Sequence, residues 1–259
     1  MWLEVCALSY QGEYREKNED NLYFCRKYML EEQNDFFEYK KLSVRQKNIA
    51  FAVFDGMGGY QFGERASFLA AQNFKYFYGK YNNNFLEEFI ENTNKMICHE
   101  NKKRNCNMGT TAAILLIYQN RIIVCNIGDS KVYRVNKSSI QKLTQDHTMV
   151  EIMLRSKLIE KPLAENHPHK NVLTQYLGMD ETILQPFICE YEKMQYEDIF
   201  LLCSDGLTEK NSEQQLFDMI NQKHSAKQIA ENLIVSSINK KTKDNITLIV
   251  LKVKKGIFG

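Results

Sequence analysis

Short apolar runs recur along the chain, and several of them lead straight to an aspartate. Ile49–Phe54 runs into Asp55, Arg121–Ile127 reaches Asp129 after one glycine, and Ile199–Cys203 reaches Asp205 after one serine. Asp244 stands just before Ile246–Val253. Apolar runs of this length, rich in Ile, Val and Phe, predict β-strands. Further strands are predicted at Leu3–Leu8, Leu22–Arg26, Thr111–Tyr118 and Lys131–Val135, with Gln119-Asn120 as a tight hairpin turn. Helical spacing appears over Gly63–Tyr78, through Ala66, Leu69, Ala70, Phe74 and Phe77, and over Phe85–His99, through Phe85, Phe89, Met96 and Ile97. Shorter helices are expected at Val150–Ile159, Asn171–Leu177, Glu213–Asn221 and Ala226–Asn239. Residues 29–48 are charged and aromatic without a clean period, which suits a protruding hairpin or an ordered loop. Strands joined by tight connections, with helices in pairs between them, do not make a regular βαβ alternation. The pattern predicts an α+β fold of antiparallel sheets covered by helices.

Composition narrows the classes. A chain of 259 residues with 44% hydrophobic content can bury a full core. Without an internal repeat or a Gly/Ser/Pro-rich linker, one domain over 1–259 is expected. Lys and Arg number 34 against 32 Asp and Glu, so bulk charge does not point to nucleic acid or an anionic membrane. No run has the length of a transmembrane helix, and the N-terminus lacks the pattern of a signal peptide. Seven cysteines, none in a C-x-x-C pair and several inside apolar runs, read as reduced thiols of a cytoplasmic protein.

The chemistry lies in four strings: Asp55-Gly56-Met57-Gly58-Gly59, Gly128-Asp129-Ser130, Ser204-Asp205-Gly206 and Asp244-Asn245. One Asp-Gly pair after a strand is ordinarily only a turn. Four aspartates at strand ends, with Glu19-Asp20 before another strand, can meet at the rim of a sheet. Carboxylates suit Mg²⁺ and Mn²⁺, which take oxygen ligands and keep several waters. A glycine beside the aspartate lets a backbone carbonyl approach the ion as well. Zinc fits less well, because these strings contain no histidine, and His167-Pro168-His169 lies in a polar segment that reads as surface. Arg15, five residues before Asp20, could grip phosphate through its planar guanidinium, although alone it reads as a solvated charge.

In order and spacing these strings resemble the metal-dependent protein phosphatases of type 2C (the PPM family), particularly the compact bacterial branch. The likeness runs through Gly12-x-x-Arg15-x-x-Asn18-Glu19-Asp20, DGMGG at 55–59, Gly63-Glu64-x-Ala66-Ser67, Met108-Gly109-Thr110-Thr111 and NIGDSKVYR at 126–134. It continues through LTQDHT at 143–148, HPHKNVLTQYLG at 167–178, LLCSDGLTE at 201–209 and DNIT at 244–247. The resemblance implies a central β-sandwich of two antiparallel sheets flanked by helix pairs, a four-layer αββα arrangement, with a flap at about 149–186. It implies two Mn²⁺ or Mg²⁺ ions bridged by Asp55, with the Gly56 carbonyl on one and Asp205 and Asp244 completing the other. Glu19 and Asp20 would hold metal-bound waters, Asp129 with Asp205 would form a third-metal site, and Arg15 would hold the substrate phosphate. The implied reaction is hydrolysis of phosphoserine and phosphothreonine in proteins by a metal-bridging hydroxide, opposing a bacterial serine/threonine kinase. The expected state is a monomer without nucleic-acid or membrane partners.

This chain also departs from the family. Met57 occupies the place where many eukaryotic members have His, which leaves leaving-group protonation to a metal-bound water. Tyr60 and Tyr10 stand where bacterial relatives usually carry His and Asp. Residues 29–48 exceed the usual connection and suggest a substrate or partner contact, and the flap bears on substrate choice. Three rival readings are weaker. Cys98 and Arg104 have the C-x₅-R spacing of thiolate phosphatases, but the residues between them are bulky and follow a helical pattern. A non-catalytic phosphoprotein-binding module should lack some of the aspartates or Arg15. A serine hydrolase lacks its G-x-S-x-G string, and His147 in Asp146-His147-Thr148 reads as the anchor of a polar turn before a helix.

Overall fold

A computed structural model describes residues 1–44, 48–58, 62–78, 84–118, 121–165, 167–179, 184–222 and 224–256. The strands are β1 (Trp2–Tyr10), β2 (Asp20–Phe24), β3 (Phe36–Ser43), β4 (Asn48–Met57), β5 (Gly109–Thr110), β6 (Ala112–Tyr118), β7 (Arg121–Ile127), β8 (Lys131–Val135), β9 (Ile140–Lys142), β10 (Phe187–Tyr191), β11 (Ile199–Cys203) and β12 (Ile246–Lys254). The helices are α1 (Gly63–Tyr78), α2 (Phe85–Arg104), α3 (Met149–Arg155), α4 (Lys161–Glu165), α5 (Asp205–Thr208), α6 (Glu213–Ile220) and α7 (Ala226–Asn239).

Period-two alternation decides the layers. In β1, Leu3, Val5 and Ala7 face one core while Cys6 and Leu8 face another; in β4, Ile49, Phe51 and Val53 oppose Ala50, Ala52 and Phe54 in the same way. One sheet has the order β3-β1-β12-β11-β8-β9 and the other β10-β7-β6-β4-β2, with β5 added beside the end of β4. All pairings are antiparallel. The two inner faces share one apolar core. The outer face of the second sheet packs on α1 and α2, and that of the first on α6 and α7. The expected four-layer αββα sandwich is present.

Helix boundaries follow local chemistry. Ser212 and Ser225 each make a capping box, with Gln215 and Gln228, at the starts of α6 and α7. Thr148 caps α3 by accepting from Glu151 N at 3.2 Å. The α3 helix stops at Arg155 rather than Ile159, because Ser156 ends it and Lys157 takes a left-handed φ of 56°. Likewise β2 ends at Phe24 and not Arg26, since Cys25 and Arg26 turn with φ of 51° and 69° and Phe24 bonds back to Lys27.

Two segments fold differently from their local pattern. Residues 171–177 are not helical; they form a connection tied down by isolated bridges at Leu173 and Leu177, with Met149 N donating to Val172 O (2.9 Å), Thr174 N to His147 O (2.8 Å), and Leu177 exchanging bonds with Thr110. Long-range pairing overrides the apolar spacing there. The 29–48 stretch contributes the edge strand β3, laid antiparallel along β1. The expected Gln119-Asn120 turn lies outside the described residues, as do Gly59 and Tyr60. The seven cysteines are free, and no described helix is long and apolar enough to cross a membrane.

The layer between α1, α2 and the second sheet rests on aromatic contacts around fully buried Phe74, whose ring lies 4.9 Å from Tyr23, 5.1 Å from Phe89 and 5.6 Å from Phe85. Phe74→Ala is expected to cost about 3–5 kcal/mol of stability, read as a lower urea midpoint. A loss below about 1 kcal/mol would mean that this layer repacks freely.

Candidate active site

The strand ends carrying the acidic strings meet at one rim of the sandwich, around a cavity of about 1010 Å³. Arg15, Glu19, Asp55, Gly56, Asp129, Asp205 and Asp244 all line it. β4 supplies Asp55 and Gly56, the turn after β7 supplies Asp129, the first residue of α5 is Asp205, and Asp244 precedes β12. Asp20 is the expected site residue that does not line this cavity. It is buried and pairs across the ladder with Asp55, and its carboxylate accepts the Ser204 hydroxyl at 2.7 Å.

Backbone contacts too close for any side chain hold the rim together. A Cβ on Gly56 would lie 2.3 Å from the carbonyl oxygens of both Glu19 and Gly63; one on Gly206 would lie 1.9 Å from that of Asn245. Glycine is therefore required at both places. Asp55 is fixed through its main chain. Its carbonyl accepts from Thr110 Oγ1 and Thr111 N, both at 2.9 Å, and its N–H donates to Thr111 Oγ1 at 3.0 Å. Thr111 Oγ1 also meets Ser130 Oγ at 2.7 Å, beside Asp129.

The asparagine of the Asp244-Asn245 string is a clamp. Its Oδ1 accepts from Glu19 N (2.8 Å), and its Nδ2 donates to the carbonyls of Gln11 (2.6 Å) and Lys17 (3.0 Å). That clamp closes the 11–19 loop over Asp244. There the half-exposed Arg15 guanidinium donates to Asp244 Oδ2 at 2.8 Å and lies 3.7 Å from Glu19 Oε2. Behind the rim, Ser204 Oγ accepts from Thr247 N (3.0 Å), Thr247 Oγ1 meets Ser9 Oγ (2.7 Å), and Asn18 Nδ2 donates to Ser9 Oγ (2.8 Å).

Crowding the carboxylates has an electrostatic consequence. Burial, then the charges of Asp20, Asp205, Asp129 and Asp244, push the Asp55 carboxyl well above its ordinary range. Burial and then Asp129 and Asp244 raise Asp205 to about 8. Burial raises Asp20 to about 7, against the pull of the Ser204 and Thr247 hydroxyls. Glu19 and Asp129 shift upward mainly through burial as well. Burial works against the charged Lys131 amine, yet Asp146 and Asp129 hold its pKa above that of an ordinary lysine. That amine donates to the Asp129 carbonyl at 2.8 Å.

The donor set tests the metal expectation. Carboxylates and the Gly56 backbone line the cavity, and no His or Cys does so among the described residues. Such an oxygen set fits Mg²⁺ or Mn²⁺ and argues against zinc. Among the described residues, no three of these side chains converge on a single point. The fit therefore rests on donor chemistry and on carboxylates whose charge calls for a cation.

Several residues that shape the site were given no role of their own by the sequence, although most of them lie within the strings that carry the resemblance. Thr111, Phe62, Leu173 and Tyr176 line the cavity, as does Glu64, which takes Lys17 Nζ at 2.5 Å. Lys131 and Ser204 likewise act through distant strands. Two expectations about other residues hold. His147 anchors the turn, its Nδ1 accepting from Gly128 N at 3.1 Å and its N–H donating to Gly128 O at 2.9 Å, and burial lowers its pKa. Cys98 and Arg104 lie within α2, where helix bonding occupies the backbone N–H groups a phosphate loop would use, and Arg104 Nε donates to Glu100 at 2.6 Å.

Comparison with known proteins agrees with this fold. The family model for protein phosphatase 2C matches residues 12–152 and 174–246, leaving part of the 149–186 flap unmatched. The serine/threonine phosphatase stp of Listeria welshimeri is 31% identical over 215 residues, covering 77% of this chain and 82% of that protein. Protein phosphatase PhpP of Streptococcus pneumoniae is 30% identical over 202 residues, covering 75% and 81%. In fold, the chain matches the crystal structure of the Mycobacterium tuberculosis serine/threonine phosphatase PstP/Ppp with a TM-score of 0.81 at 24% identity, covering 98% of this chain and 100% of that one. The catalytic domain of PstP in complex with 2 manganese ions gives a TM-score of 0.76 at 23% identity, covering 98% and 100%. The chain belongs to the protein phosphatase 2C family.

Proposed function

We propose that this chain removes phosphate from phosphoserine and phosphothreonine in proteins, in a metal-dependent hydrolysis at the carboxylate-lined cavity. The observation that carries this reading is the meeting of Asp55, Asp205, Asp244 and Arg15 in one cavity of a phosphatase-family fold. Asp55 would serve both of two divalent ions, the Gly56 carbonyl would serve one of them, Asp205 and Asp244 would complete the other, and Glu19 and Asp20 would act through water. Asp129 with Asp205 would take a third. Bound there, Mn²⁺ or Mg²⁺ supplies a nucleophile from water at neutral pH and draws charge from the phosphoryl oxygens.

The residues of the chain set the rest. The Arg15–Asp244 ion pair is half-exposed, a setting in which such pairs hold weakly. Arg15 leaves Asp244 readily once that carboxylate takes a cation, and its guanidinium then presents parallel N–H donors to the phosphate. The turn locked by Asn245 keeps it over the cavity meanwhile. No imidazole lines the cavity among the described residues, so the leaving-group proton comes from water rather than histidine. Phosphoprotein substrates made by a serine/threonine kinase, a cytoplasmic location and a monomeric state complete the proposal. No feature of the described site favours a non-catalytic phosphoprotein-binding module.

Hydrolysis of p-nitrophenyl phosphate and a phosphothreonine peptide, with Mn²⁺ and after chelation, tests the reading. Activity is expected only with the metal; Asp55→Asn and Asp205→Asn should each lose about 100-fold or more, and Cys98→Ser should retain it. Turnover that survives chelation, or persists in Asp55→Asn, would overturn the proposal. A second expectation concerns pH. Carboxyls raised by the fold bind protons that the unfolded chain releases near pH 4, so their stabilising contribution is lost as pH climbs toward about 8. The metal-free protein should therefore melt at lower temperature as pH rises through that window. Mn²⁺ replaces the protons, so the melting-point gain it gives should grow from pH 5.5 to 8. A gain independent of pH would mean that these carboxylates do not hold the ion.

A further inference from the structure

Tyr176 stands where two cavities meet. One is the carboxylate-lined cavity; the other, of about 460 Å³, lies between the end of α2, the 105–108 segment and Gly178, and Tyr176 forms part of both walls. The ring is seated on Gly109, where a Cβ would lie 2.5 Å from Tyr176 Cδ2 and 2.8 Å from Cε2. Its neighbour Leu177 exchanges two backbone bonds of 2.9 Å with Thr110, whose hydroxyl donates to the Asp55 carbonyl. On the other side, Gly178 N donates to Asn94 Oδ1 of α2 at 2.6 Å. The ring is therefore held at a fixed place relative to Asp55, as a partition that neither cavity can shift easily.

The second cavity is polar, with Asn105, Asn107 and Lys102 on its wall. Among the described residues, the side chains of Asn105 and Asn107 and the Tyr176 hydroxyl have no hydrogen-bond partner. Carboxamides and a hydroxyl that project from fixed backbone suit a guest side chain with hydrogen-bonding groups of its own. Extended peptide advances about 3.3–3.6 Å per residue, so a neighbour a few residues from a phosphorylated one can pass a single ring.

We propose that Tyr176 is a specificity-determining residue and that the second cavity is a side-chain subsite for the substrate. This rests on the reading that phosphoproteins are the substrates. A residue near the phosphorylated one passes the Tyr176 ring and places an amide or carboxylate side chain between Asn105 and Asn107.

The test uses the full chain with Mn²⁺ and phosphothreonine peptides in which each flanking position is in turn Ala, Gln, Glu or Lys. p-Nitrophenyl phosphate, which reaches only the first cavity, is the reference. At one or more flanking positions Gln and Glu should exceed Ala by about fivefold in kcat/KM, the scale of one hydrogen bond. In Asn105→Ala/Asn107→Ala that preference should vanish through KM, lowering the ratio of peptide to p-nitrophenyl phosphate kcat/KM. Tyr176→Ala should flatten the ranking while Tyr176→Phe keeps it. A flat ranking in the unaltered protein, or a preference that survives the double substitution, overturns the subsite. Absence of metal-dependent p-nitrophenyl phosphate turnover defeats the phosphatase reading itself, and the subsite with it.

Discussion

Mutual repulsion among carboxylates is the constraint on which the rest of this structure depends. Asp55, Asp129, Asp205 and Asp244 line one cavity, and burial strips the first three of much of the water that would screen them. Left to itself, such a rim would spread. It is held instead by contacts that do not involve the carboxylate oxygens facing the cavity. Thr110 and Thr111 grip Asp55 by its carbonyl, Asn245 grips the 11–19 loop, and Ser204 ties buried Asp20 to β12 through Thr247. Lys131 offsets part of the charge from behind, through Asp146 and the Asp129 backbone.

The sandwich makes this arrangement possible because neither sheet contributes the whole site. β2 and β4 belong to one sheet and β11 and β12 to the other, so the site is assembled across the layer boundary. Within each half a glycine permits a close backbone approach, the Glu19 carbonyl occupying the space of a Gly56 side chain and the Asn245 carbonyl that of Gly206, while Asn245 Oδ1 joins the halves by accepting from Glu19 N. The same logic extends into the flap. Leu177 pairs with Thr110, whose own hydroxyl holds the Asp55 carbonyl, so the wall formed by Tyr176 is continuous with the centre of the site. Packing and chemistry share the same few backbone bonds.

The central strands and the acidic strings were legible in the sequence because they carry strong local patterns. β4, β6, β7, β11 and β12 are nearly continuous apolar runs buried on both faces, and each aspartate sits at such a run's end. The edges were not. β3, β9 and β10 are short or half-exposed, and their polar residues dilute the signal. Residues 171–177 misled because Val172, Leu173 and Leu177 have helix-like spacing, whereas their bonds go to His147, Met149 and Thr110, far away in the chain. Within the site, the aspartates and Arg15 announced themselves by motif. Thr111, Lys131 and Tyr176 lie within such strings too, but their roles could not be read there, since their partners Asp55, Asp146 and Gly109 come from other strands and loops that only the fold brings together.

The central claim is that Asp55, Asp205 and Asp244 hold a pair of divalent ions. A crystal structure of the Mn²⁺-loaded protein, with anomalous scattering recorded at the manganese edge, tests it most directly. The account predicts two strong anomalous peaks in the cavity, both within bonding distance of the Asp55 carboxylate and one shared with Asp205 and Asp244. Manganese peaks away from Asp55, or a cavity without them at a metal concentration that supports turnover, would contradict it.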